Sequence, residues 1–204
     1  MAYTHLRDAL LVLDIRPGEP LHDETIARDL GIGRTPVREA MKRLETDRLI
    51  VAYPRRGTFA TPVDMTDLGM ISEVRRTLEP VAAAGAATRA GLAERRELAD
   101  LARTVAALDP TALDARELMR HDVSVHRAIY RASGNQHLED VLVRLDNLAT
   151  RIWCLVLDRL PTFGGHVGEH VALLEAVVDG RADEAAELAR VHVEGFEQAV
   201  RAVL

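Results

Sequence analysis

The rhythm of apolar positions changes near residues 62–66. Before that point short amphipathic segments are broken by turn residues, Arg16-Pro17-Gly18, Gly31-Ile32-Gly33 and Arg56-Gly57. After it, apolar residues recur at helical spacing over long stretches rich in Ala, Leu, Val, Glu and Arg, with almost no strand-like alternation. The second part predicts six helices, over about 67–90, 93–108, 111–133, 135–159, 165–179 and 181–202. Pro110, Gly134, Pro161 to Gly165 and Gly180 separate most of them. The chain is expected to be mainly α, with one unit over 1–63 and an all-α bundle over 64–204.

The first unit predicts three helices and a hairpin. Helix one spans about 3–14 and stops before Pro17-Gly18. Helix two follows Asp23 as N-cap, turns Ile26, Ala27 and Leu30 inward and ends at Gly31. Thr35-Pro36 reads as an N-cap with proline at the first helical position, opening a third helix to about Asp47. Val37, Ala40, Met41 and Leu44 form its buried stripe, which leaves Arg34, Thr35, Arg38 and Lys42 on the outer face and leading end. Leu49 to Val51 and Thr58 to Ala60 read as short strands around Pro54-Arg55-Arg56-Gly57.

Charge adds a local asymmetry. The formal net charge is −6, yet residues 34–56 carry seven bases (Arg34, Arg38, Lys42, Arg43, Arg48, Arg55, Arg56) against three acids (Glu39, Glu45, Asp47). A basic patch within an acidic chain is expected where one small module meets phosphate. No apolar run approaches the ~20 residues of a spanning helix. The start MAYTHLRDALLVLD lacks the basic and cleavable features of a signal peptide, so a cytoplasmic protein without membrane contact is expected. The single cysteine, Cys154, lies in the apolar run IWCLVL and reads as a buried structural thiol.

A helix propped by another, with arginines at its leading end, is the arrangement by which a helix-turn-helix meets base edges in the major groove. The segment RPGEPLHDETIARDLGIGRTPVREAMKRLETDRLIVAYPRRGTFA resembles the GntR family of bacterial regulators, with the PG, LA..LG, RTPVREA..RL and RG segments in order. The resemblance covers about residues 6–62 and implies a winged helix-turn-helix. By it, Arg34, Thr35 and Arg38 contact bases or phosphates, Lys42 joins the DNA-facing surface, and the Arg56-Gly57 wing tip approaches the minor groove. Gly33 stands where the family usually has Ser or Thr, and Arg48 replaces a common glycine.

The second unit carries more polar groups than a plain bundle needs. Asp122 and His126 lie four residues apart on one helix face, His170 opens an apolar helical pattern, and His192 lies near the core stripe of the last helix. A carboxylate with imidazoles suits a borderline divalent cation, although spacing alone does not bring the three helices together. Residues 67–200 resemble the FCD effector domain of the FadR and VanR branches, through VRRTLEPVAAAGA, HDVSVHRAIYRASGN and EHVALLEAVVDGRADEAAELARVHVE. The resemblance implies a metal bound by Asp122, His126, His170 and His192, and Arg75 facing an effector carboxylate. His121, His137 and His166 are read as ordinary histidines, and Ser133-Gly134-Asn135 as a helix stop and turn.

These readings together imply a homodimeric, non-enzymatic transcription regulator that binds operator DNA. Its effector would be a small carboxylate, held at a divalent ion of zinc, nickel or manganese type. Two alternatives stay open: a metal-dependent hydrolase using the same Asp/His cage to activate water, and a regulator for which the ion itself is the signal.

Overall fold

A computed structural model describes residues 1–160 and 163–204. The order is α1 (Ala2–Leu11), β1 (Pro20–Leu21), α2 (Asp23–Asp29), α3 (Arg34–Thr46), β2 (Ile50–Tyr53) and β3 (Gly57–Ala60). A 3-10 turn (Met65–Asp67) then leads to α4 (Leu68–Arg89), α5 (Leu92–Ala106), α6 (Ala115–Ala132) and α7 (Gln136–Val156). A second 3-10 turn (Leu157–Arg159), α8 (Phe163–Val178) and α9 (Ala182–Ala202) complete the chain. The fold is mainly α, a winged helix-turn-helix followed by a helical bundle. Among the described residues no helix is long and apolar enough to cross a membrane.

The first core forms because α1 and α3 each present apolar residues one turn apart. Leu6, Leu10 and Leu11 meet Ala40 and Leu44, with Leu49, Ile50 and Ala60 from the sheet closing the cluster. The antiparallel sheet has the order β1-β3-β2, pairing Pro20 with Phe59 and Ile50 with Ala60. The two-residue β1 escapes sequence reading, since two residues cannot show alternation. Helix α3 ends in a reversal in which Arg48 adopts φ 59° and the Leu49 amide donates to the Leu44 carbonyl at 2.9 Å. That left-handed position favours glycine, which explains why glycine is usual there and what the arginine costs.

Two expected caps are corrected. Helix α2 begins at Asp23 itself, with His22 in the cap position and no side-chain cap. Helix α3 begins at Arg34 with Gly33 extended before it, so Thr35 lies inside the first turn and Pro36 is its third residue. Proline is still tolerated there, because the first four amides of a helix have no partner within it. Met41, expected in the buried stripe, is half-buried. Helix one ends at Leu11, earlier than expected, where Leu13 turns to φ 60°.

In the bundle α4 lies along α9 and against α6 and α7, while α8 packs on α5, α6 and α9. Buried Ala83, Ala86 and Ala87 let the α4 backbone come close to its neighbours. Between α6 and α7, Ser133 caps, Gly134 takes φ 66° and the Asn135 side chain accepts from the Leu138 amide, so the SGN segment is a stop and restart. Of the expected break at Pro161 to Gly165, Pro161 and Thr162 lie outside the described residues, while Gly164 and Gly165 fall within α8. The bundle holds the first unit through Arg151 of α7, whose guanidinium donates to the Thr61 hydroxyl at 2.5 Å and the Thr61 carbonyl at 2.6 Å. Arg116 also pairs with Asp14, and Val12 sits in the bundle core.

Candidate metal centre and nucleic-acid interface

Helix α6 turns Asp122 and His126 inward one turn apart, where α8 contributes His170 and α9 contributes His192. All four are buried, His170 completely. The His126 Nε2 lies 3.4 Å from that of His170 and 3.3 Å from that of His192. The Asp122 carboxylate approaches at 3.9 Å from His126 and 3.8 Å from His170.

The opposite edge of each ring explains this convergence. His126 turns Nδ1 to Glu79 at 3.3 Å, His170 to the Val167 carbonyl at 3.2 Å and His192 to Glu169 at 3.1 Å. An acceptor at Nδ1 fixes the proton of a neutral imidazole there and leaves Nε2 as a lone pair. Three lone pairs facing one another repel unless a positive charge stands between them. Burial, reinforced by neighbouring histidine charge, holds His170 and His192 well below the usual imidazole range, so both are neutral. Burial pushes His126 the same way, but Glu79 and then Asp122 outweigh it and hold this ring up at about 9. A proton on His126 thus supplies the charge that the cluster demands.

A divalent ion fits the same point. Four-coordinate zinc–nitrogen bonds of about 2.0–2.1 Å set neighbouring nitrogens about 3.3 Å apart, the separation found here. The buried Asp122 Oδ1 accepts no hydrogen bond, leaving a carboxylate oxygen available to a cation. The cluster therefore has the donor set and spacing for a metal ion. The carboxylates behind His126 and His192, Glu79 and Glu169, are not legible in the sequence, because each lies on a different helix from the ring it holds and nothing in local spacing marks it. His166, an ordinary histidine by sequence, stacks on His192 with centroids 4.0 Å apart.

Arg75 reaches the cluster from α4 but is already engaged. Its guanidinium donates to Glu79 at 2.5 Å, lies 3.6 Å from Asp146 and sits over the Phe196 ring. Tyr130 donates to the same Glu79 at 2.9 Å. The enclosed space between Arg75, Asp122, His126, His192 and Phe196 is only about 10 Å³, room for one water at most.

At the other end, Arg34, Thr35, Arg38 and Lys42 are exposed on one side and the leading end of α3. Arg56 and Gly57 are exposed at the tip between β2 and β3, where Gly57 takes φ 103°. Arg34 and Arg38 are held by α2: both donate to Asp23, at 3.1 and 2.5 Å, and Arg34 also to Glu24. Asp23, expected as a cap, thus serves the neighbouring helix.

A winged helix-turn-helix followed by a helical bundle with a buried Asp/His cluster is the architecture of a DNA-binding transcription regulator. The bacterial regulatory proteins of the gntR family match residues 1–60 and the FCD domain matches residues 70–195, and the chain belongs to the GntR regulators with an FCD domain. It is 26% identical over 191 residues to an HTH-type transcriptional regulator in an unstable DNA locus of Streptomyces ambofaciens, covering 94% of this chain and 80% of that one. It is 22% identical over 202 residues to the HTH-type transcriptional repressor RspR of Escherichia coli, covering 98% and 88%. The solved structure of E. coli McbR/YncC superposes with a TM-score of 0.76 at 21% identity, covering 97% of this chain and 95% of that one. The Streptomyces and RspR relatives are HTH-type transcription regulators, not enzymes.

Proposed function

We propose that this regulator binds operator DNA through α3 and its wing, and that a small carboxylate, bound at a divalent ion in the bundle, changes that binding. Arg34, Thr35, Arg38, Lys42, Arg56 and Gly57 form the DNA-facing surface, and Asp122, His126, His170 and His192 hold an ion of zinc, nickel or manganese type. The observation that carries the metal reading is the convergence of three Nε2 atoms on one point, each ring held from behind. The units divide near residues 63 and 64, the protein works in the cytoplasm, and two copies bind a two-fold operator. In support of the dimer, Met70, Val74 and Val81 are exposed at helical spacing along one face of α4.

Among the described residues the space beside Arg75 is too small for an effector, so a carboxylate that reaches Arg75 must take over part of what Arg75 gives to Glu79. That exchange is the source of unequal affinity for two arrangements, which any effector needs. Arg75 lies on the helix that directly follows the segment leaving the wing, so a shift of α4 is passed to the DNA-binding unit. The test is calorimetric titration of mono- and dicarboxylates into metal-loaded protein, chelated protein and Arg75→Ala, with DNA release followed in parallel. Binding to loaded wild type alone is expected. An inducer that bound chelated protein as tightly as loaded protein would make the ion structural and end this reading.

A further inference from the structure

The two arginines at the head of α3 differ in what they have left to give. Arg34 spends every guanidinium nitrogen on α2: Nε and Nη2 on Asp23 at 3.3 and 3.1 Å, and Nη1 on Glu24. Arg38 donates to Asp23 through Nε alone, at 2.5 Å, and 62% of its side chain is exposed. Its two terminal amino groups therefore remain unspent, side by side at the end of a side chain whose direction Asp23 fixes. The Asp23 carboxyl is held below its usual range, first by the bond from Arg38, so it stays an anion at neutral pH.

A guanine presents O6 and N7 side by side in the major groove, and a guanidinium meets them with two parallel donors. A flexible arginine must freeze several torsions to do so, whereas one buttressed at Nε has fewer left to lose. Arg38 and Lys42 also border the groove between α3 and the wing strands, together with Asp23, Ala52 and Thr58. A carboxylate at this edge repels phosphate as well, which weakens binding to arbitrary sequence.

We propose that Asp23 is a specificity-determining positioning residue: it aims Arg38 as the guanine reader and withholds Arg34, which reaches only phosphate by exchanging partners. This rests on α3 being the element that enters the groove. Exposed ion pairs contribute little to stability, so variants at these positions are expected to fold.

The experiment begins with in vitro selection from randomised DNA duplexes by the full-length wild type. Anisotropy titrations then compare the selected site with copies in which each guanine is replaced. Arg38→Ala is expected to abolish preference at one guanine per half-site. Asp23→Asn is expected to cut that preference about tenfold while affinity for random duplex rises, and Asp23→Glu to retain most of it. Arg34→Ala should keep the preference but lower the salt slope by about one. A merely structural Asp23 would weaken selected and random DNA alike. The proposal falls if Asp23→Asn discriminates as wild type does, or if the guanine preference is lost in Arg34→Ala and kept in Arg38→Ala. Unchanged binding in Arg34→Ala, Arg38→Ala and Lys42→Ala together would instead overturn the docking of α3, and this proposal with it.

Discussion

Glu79→Gln removes one negative charge from the middle of the bundle, and the structure sets how much that costs. The Glu79 and Arg75 side chains are 3% and 4% exposed and meet at 2.5 Å. A pair on the surface would contribute at most about 1 kcal/mol. Here water cannot replace the lost partner, and breaking a buried pair costs about 3–5 kcal/mol. Glutamine keeps an oxygen for the Tyr130 hydroxyl, which now lies at 2.9 Å; Asp146 remains 3.6 Å from Arg75, and His126, which also loses Glu79 at 3.3 Å, keeps Asp122 at 3.9 Å. The low end, about 3 kcal/mol, is therefore expected. For a chain of this length that lowers Tm by about 6–12 °C. The assay is scanning calorimetry of chelated wild type and variant at neutral pH, so that no bound ion contributes. The double variant Arg75→Met with Glu79→Leu, which removes both charges together, should recover part of the loss. A Glu79→Gln melting within about 2 °C of wild type, below the shift that even 1 kcal/mol produces, would refute the argument that burial makes this pair matter.

His170→Ala should lower bound metal, measured by elemental analysis, and should abolish the rise in Tm that added zinc gives the wild type, because the ion binds only the folded cluster. Arg48→Gly should stabilise the protein by about 1 kcal/mol in urea titrations, since it relieves a left-handed backbone at φ 59°. Cys154, whose thiol burial pushes up to about 12, stays protonated at pH 8 and should react with maleimide far more slowly in the native protein than in urea. Arg151→Met breaks the bonds to Thr61 at 2.5 and 2.6 Å; it should leave DNA affinity intact, reduce the effector-induced change in it, and speed proteolysis near residues 61–67.

The sequence by itself determined the helices, the two strands of the wing hairpin and the identity of the reactive side chains. Helical periodicity marked the long helices of the bundle to within a few residues, and the RTPVREA segment marked the helix with the exposed arginines. Asp122 and His126 were legible as a pair because i and i+4 share a helix face whatever the rest of the chain does. His170 and His192 stood out by helical pattern but joined that pair only through resemblance, and the packing of α6, α8 and α9 is what brings the Nε2 atoms together. Tertiary structure alone decided how each group is held. Glu79 and Glu169 stand behind the rings, Asp146 shares Arg75, and Asp23 leaves its expected cap to hold Arg34 and Arg38. The physical reason is range: periodicity and capping depend on neighbours within a few residues, whereas the partner of a buried charge is chosen by whichever helix comes to lie against it.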